Sequence, residues 1–228
     1  MKYIVIGLGS FGTKIAEILT EMGNEVIGVD QDLSKVELLK EKISHTIALD
    51  ATDENAVNNL PLKDTDVVVI CIGEDEGASL MATALMKKHN PKRLISRAVN
   101  PLQETILEAM GITEIVHPEE EAANRWAKKL NFKGVMESYE VTGDYNLVEV
   151  KVPEKFVGKT LKEINLREKY DLLVLSTISS EEKKNVLGKS QKVEKIREVA
   201  SGDTMLFKED IMVLYGYILD IKKFLKEE

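Results

Sequence analysis

Three glycines at a fixed spacing, Gly7, Gly9 and Gly12, interrupt the opening stretch YIVIGLGSFGTKIAEIL. They follow the short apolar run Tyr3 to Ile6 and precede Ile15, Ala16, Ile18, Leu19 and Met22, which recur at helical spacing. A buried strand, a tight turn and an amphipathic helix are the expected result. The G-x-G-x-x-G spacing gives each glycine a steric task. Gly7 lets the chain turn sharply, Gly9 lets a backbone approach a pyrophosphate, and Gly12 lets the helix lie close to the strand. The unpaired amides and positive dipole end of that helix favour phosphate oxygens.

A second strand, Glu25 to Val29, ends on Asp30, eighteen residues beyond Gly12. A carboxylate there accepts hydrogen bonds from ribose hydroxyls and repels a 2′-phosphate. The expected ligand is therefore a nucleotide with a free ribose, namely NAD(H), ATP, ADP or AMP, and not NADP. The expected contacts in the turn are Gly7, Leu8, Gly9, Ser10, Phe11 and Gly12, with Asp30 and Gln31 at the end of the second strand. Later strand ends add Asp50, Ala51, Thr52, Ile72, Gly73, Glu74 and Arg97. Several of these have a plainer reading. Asp50 and Thr52 cap helices well, Ile72 and Gly73 are ordinary strand-end residues, and Arg97 needs only some anionic partner, a phosphate or a carboxylate.

These residues must be positioned by alternating strands and helices. HTIALD, DVVVICIG, RLISRAV and EIVH read as further strands, and helices are expected from Thr52 or Asp53, over Ala78 to His89, from Pro101 to Gly111, and from Pro118 to about Phe132. That alternation implies a Rossmann-like, doubly wound parallel sheet, with ligands outside the carboxyl ends of its strands. After Gly134 the period changes. VMESYEV and YNLVEVKV alternate like a hairpin, GKTLKEINL holds a short helix, and LLVLSTI reads as a strand. A polar stretch from Ser179 to Glu194 reads as mobile, and a strand from Asp210 to Tyr217 leads into a terminal helix, Ile218 to Leu225. The expected division is a nucleotide-binding domain over 1–134, crossover helix included, and a small α+β regulatory domain over 135–228.

Composition narrows the function classes. With 43% hydrophobic and 31% charged residues the chain has a globular make-up, and its net charge of −8 argues against nucleic acid. The apolar runs VVVICIG and IMVLYGYIL are too short to span a bilayer, and no leader-like segment precedes the first strand, so a cytoplasmic location is expected. Cys71, the single cysteine, sits inside an apolar strand and reads as core. His45, His89 and His117 are scattered without metal-ligand spacing, and the second domain has no histidine.

Two classes remain. One is an oxidoreductase holding NAD in the first domain and substrate in the second. The other is a sensor in which binding changes shape and not covalent structure. A dehydrogenase needs a proton-transfer group near the nicotinamide. The strand ends offer carboxylates and one arginine, which favours the sensor and no enzymatic activity.

IGLGSFG, the strand-end Asp30, LDATDE, IGEDEGAS, SRAVNP, LEAMGI and IVHPEEEAA together resemble the regulator-of-potassium-conductance family, the cytosolic gating subunits of Trk- and Ktr-type potassium transporters. NLREKYDLLVLSTI is similar to the family's C-terminal subdomain, so the resemblance covers nearly the whole chain. It implies a homodimer, an eight-subunit ring beneath a membrane potassium transporter or channel, and an adenine nucleotide whose binding changes the ring. ATP-sensing Ktr-type members carry arginine directly after the second glycine, where this chain has Ser10. Arg97 is then the candidate replacement, or the ligand is NAD(H) or AMP. The resemblance further implies a divalent-cation role for Glu119, and places Leu166, Arg167 and Tyr170 where related regulators bind cyclic di-AMP.

Overall fold

The computed structural model describes residues 1–131, 134–184 and 190–226. It divides into two compact units, Met1–Glu121 and Ala122–Glu228.

In the first unit, strands β1 (Lys2–Ile6), β2 (Glu25–Asp30), β3 (His45–Ala48), β4 (Val67–Ile70), β5 (Leu94–Arg97) and β6 (Glu114–Val116) alternate with helices α1 (Ser10–Glu21), α2 (Leu33–Leu39), α3 (Glu54–Val57), α4 (Glu76–Lys88) and α5 (Pro101–Ala109). The strands form one parallel sheet in the order β3-β2-β1-β4-β5-β6. Both faces are covered, as the near-continuous apolar strands require. Ile4, Ile6, Val68 and Ile70 pack on one side with Ala82 and Met86 of α4. Val5, Val67, Val69 and Cys71 pack on the other with Ala16 of α1 and Val36 and Leu39 of α2. The chain runs from β1 to β2 and β3 on one side and returns to β4 on the other. That reversal opens a crevice at the carboxyl ends of β1 and β4, where doubly wound sheets bind ligands.

Helix α6 (Pro118–Asn131) spans the division between the units, and Phe132, its expected end, lies outside the described residues. In the second unit β7 (Val135–Thr142), β8 (Tyr145–Lys151), β9 (Leu173–Lys184), β10 (Ser190–Val199) and β11 (Ile211–Tyr217) form an antiparallel sheet ordered β10-β9-β11-β8-β7. Short helices α7 (Leu161–Ile164) and α8 (Leu166–Tyr170) precede β9, and α9 (Ile218–Lys226) closes the unit. Val148, Val150, Met212 and Leu214 meet Ile221 and Phe224 of α9 in its core.

One expectation is corrected here. The polar stretch from Ser179 to Glu194, which reads as mobile from its composition, is largely a β-ladder: β9 extends to Lys184 and β10 begins at Ser190. Residues 185–189 of it lie outside the described residues. Glu194 to Val199 are exposed, so no buried face imposes the apolar alternation by which strands are recognised.

Candidate functional site

The turn after β1 is built as its glycines require. Gly7 has φ +94°, a region disfavoured for other residues, and a Cβ there would stand 2.8 Å from the Ile72 amide nitrogen. A Cβ on Gly12 would overlap the Gly7 carbonyl oxygen, so α1 reaches its close seat on the sheet only with glycine. Gly9 differs: a Cβ there meets nothing within 4 Å, because this residue faces the crevice. It is also the N-cap of α1 and supplies no capping side chain, leaving first-turn amides for an anion.

A cavity of about 370 Å³ opens over this turn. Gly7, Gly9 and Ser10 line it together with Asp30 at the end of β2 and Gln31 just beyond it, Asp50, Ala51 and Thr52 after β3, Ile72, Gly73 and Glu74 after β4, and Arg97 from β5. Twelve of the fifteen contacts expected from sequence thus share one cavity. Leu8, Phe11 and Gly12 are not in its lining. Leu8 is enclosed, with 3% exposure, and contributes its amide to Asp30; Gly12 seats the helix; Phe11 offers its ring to Arg97 at 5.9 Å.

Asp30 is held firmly. Its Oδ2 accepts from the Leu8 amide at 2.7 Å and its Oδ1 from the Asp32 amide at 2.9 Å. Each carboxylate oxygen keeps a further lone pair for a hydroxyl donor. Lys35 also lines the cavity, with Nζ 3.9 Å from Asp30 Oδ2. Glycine spacing and strand-end acids do not single it out. Its signal lies in Asp32, which caps α2 by accepting from the Ser34 amide and so puts Lys35 in a helical first turn just beyond Asp30.

Asp50 accepts from both the hydroxyl and the amide of Thr52, at 2.7 and 2.9 Å. Those bonds hold its carboxyl below the usual aspartate range. The cap of α3 is Asp53, so Asp50 and Thr52 form a separate turn facing the cavity. Asp75, likewise in the lining, caps α4 by accepting from the Ala78 amide at 2.8 Å.

Arg97 is the more enclosed of the two cations in the cavity wall, its side chain 14% exposed against 36% for Lys35. The guanidinium lies against Gly73, where a Cβ would come within 2.6 Å of Cζ, and one nitrogen donates to the Cys71 carbonyl at 3.3 Å. Its anionic partner is Glu119 in the first turn of α6. The carboxylate for which the family resemblance implies a cation is therefore engaged by arginine. Among the described residues no group of three or more His, Cys, Asp or Glu side chains is placed to hold a metal. Burial pushes the Cys71 thiol up to about 12, which keeps it protonated and poorly nucleophilic.

In the second unit, Leu166 is buried with 4% exposure, Tyr170 packs edge-on against Phe224 at 5.5 Å, and Arg167 is exposed. Leu166 and Tyr170 thus serve the core. Elsewhere in that unit a cavity of about 400 Å³, unanticipated from sequence, is lined by Lys195, Arg197, Phe207 and Asp210 among others.

Residues 3–118 match the TrkA-N domain. Over 225 residues the chain is 32% identical to the Ktr system potassium uptake protein C of Bacillus subtilis (strain 168), covering 99% of this chain and 96% of that protein. Among solved structures, the NAD(P)-binding domain of an exopolyphosphatase-related protein from Archaeoglobus fulgidus is similar with a TM-score of 0.51 at 26% identity, over 57% of this chain and 96% of that one. The GsuK channel bound to NAD shares the fold with a TM-score of 0.63 at 14% identity, over 100% of this chain and 39% of that one. On the domain match and the end-to-end alignment with a potassium uptake protein, the chain belongs to the TrkA-N family of Ktr- and Trk-type potassium uptake proteins.

Proposed function

We propose that this chain is a regulatory subunit that senses an adenine nucleotide and gates a membrane potassium transporter or channel from the cytoplasmic side, acting as a homo-oligomer. The observation that carries the reading is one cavity rimmed by Asp30, the open face of Gly9 and the enclosed Arg97. A ribose on Asp30 puts the phosphates over Gly9 and the α1 amides, and a longer phosphate chain runs on toward Arg97. The similarity to a potassium uptake protein supplies the transport context. Among the described residues no helix is long and apolar enough to cross a membrane, and the reading assigns the pore to another chain.

Asp30 favours NAD(H), ATP, ADP or AMP over NADP, because a 2′-phosphate loses the ribose hydrogen bonds and meets a like charge. The nucleotide is read and not consumed. In the crevice beyond Gly9, where a nicotinamide would lie, the lining is Ile72, Gly73, Glu74 and Arg97, carboxylate and guanidinium in place of the His, Lys or Tyr that usually transfers the proton. Lys35 stands instead beside Asp30, at the adenosine end. Gating then follows from unequal contacts: a nucleotide shifts an oligomer between two shapes only by binding one of them more tightly. Cyclic di-AMP in the second unit would rest on Arg167 alone of the three residues expected for it, since Leu166 and Tyr170 are packed inward.

Titration calorimetry with ATP, ADP, AMP, NAD and NADP tests the reading. Binding of at least one free-ribose nucleotide, lost in Gly9→Val while the fold is kept, is the expected result. Equal affinities in parent and folded variant would refute the site.

A further inference from the structure

The pairing of Arg97 with Glu119 joins the cavity wall to the first turn of α6. Its two halves are unequal. The arginine side chain is 14% exposed and fixed on three sides, by the Cys71 carbonyl, the Gly73 backbone and the Phe11 ring. The glutamate side chain is 61% exposed and is free to swing into solvent. Arg97 Nε is buried without a partner, so the guanidinium has donor capacity to spare.

Sheet order says which ligands can use it. From β2, which carries Asp30, to β5, which carries Arg97, the sheet steps through β1 and β4. Three strand spacings make roughly 14 Å. A nucleotide whose ribose sits on Asp30 has its first phosphate over the turn after β1, one spacing along. A monophosphate ends there, whereas a triphosphate extends toward β5. An anion that arrives at Arg97 meets Glu119 already in place and must displace it.

Resting on the nucleotide-sensing reading above, we propose that Glu119 is the specificity-determining residue for phosphate-chain length: it occupies Arg97 as a resident anion and yields only to a nucleotide long enough to deliver a competing phosphate. Recognition of the terminal phosphate and release of the first turn of α6 are then one exchange of anions on a single guanidinium. A ligand that stops short of β5 binds without breaking the pair.

The test is a double-mutant cycle read by titration calorimetry with ATP and AMP on the parent, Glu119→Gln, Arg97→Gln and the double variant. Glu119 is exposed, so its substitution leaves the fold intact. In Glu119→Gln, ATP affinity should rise roughly fivefold, the scale of a half-exposed ion pair, with AMP unchanged within twofold. In the Arg97→Gln background the same substitution should alter ATP affinity less than twofold. A rise for ATP that persists without Arg97 would mean that Glu119 merely repels phosphate, and would overturn the proposal. So would unchanged ATP affinity in Glu119→Gln. Nucleotide binding to none of the four proteins would remove the sensing reading, and this exchange with it.

Discussion

Asp30 Oδ2 accepts a hydrogen bond from the Leu8 amide at 2.7 Å, which ties the end of β2 to the glycine turn after β1. The residue that would read a ribose thus also holds the loop that would read the phosphates. Asp30→Ala should therefore damage stability and affinity together. It strands a part-buried amide, at about 1–3 kcal/mol, and removes charge-assisted hydrogen bonds to the ligand of about 1.5–3 kcal/mol. Asp30→Asn retains an acceptor for Leu8 and should recover most of the stability but little of the affinity. Urea unfolding beside calorimetry separates the two, and parallel recovery of both in Asp30→Asn would contradict the division of labour.

The turn glycines should separate in the same way. Gly9→Val points into open space and should leave the unfolding midpoint nearly unchanged while abolishing nucleotide binding. Gly12→Ala drives a methyl into the Gly7 carbonyl and should cost about 3 kcal/mol or leave the chain unfolded. A destabilised Gly9→Val with a stable Gly12→Ala would invert the roles given to these positions.

Much of this site is legible in the amino-acid sequence. Glycine spacing, apolar strand runs and acids at strand ends are local signals, and they point to twelve residues that line one cavity. Three features are not legible there, each for a physical reason. Lys35 depends on where α2 begins, which Asp32 sets through a cap invisible to hydrophobic periodicity. The Arg97–Glu119 pair joins residues on different elements, and both side chains are equally well explained singly, one as an anion partner and one as a helix-start acid. Glu194 to Val199 of β10 are all exposed, so this stretch of the β9–β10 ladder has no alternation to detect.

Lys35 tempers the choice between NAD and NADP. With its ammonium 3.9 Å from Asp30, it offers a partial counter-charge to a 2′-phosphate. NAD should still bind at least ~10-fold more tightly than NADP, a gap of ~1.4 kcal/mol, and Lys35→Ala should widen it. Competition binding of the two dinucleotides checks both statements; a gap that narrows in Lys35→Ala would show that the lysine serves the shared parts of the ligand.

Thr52 should reveal itself through pH. Its hydroxyl, the larger cause, and its amide hold the Asp50 carboxyl below the ordinary aspartate value of about 3.9. A depressed folded value means that the contribution is complete above the ordinary value and is lost as pH falls through the lower folded one. Thr52→Val removes the hydroxyl, so parent and variant should differ most near pH 7 and converge toward pH 3. Urea midpoints at the two pH values test this, and a gap constant with pH would remove Asp50 as its cause.

Helix α6 contains no buried residue and leaves Trp126 53% and Leu130 80% exposed. An apolar stripe of that kind fits a contact with a second copy, and a homodimer through this helix is expected. Light scattering should give at least twice the 25.5 kDa chain mass, falling in Trp126→Ser/Leu130→Glu. A monomeric parent at all accessible concentrations would contradict it.

The central claim, that the cavity holds a free-ribose adenine nucleotide and leaves it intact, is tested most directly by mass spectrometry of what the purified, denatured protein releases. After prolonged incubation with ATP, ADP, AMP and NAD, the parent should release one of them chemically unchanged and near one per chain, and Gly9→Val should release none. Release of no nucleotide from the parent, or of a nucleotide converted in step with incubation time, would contradict the account.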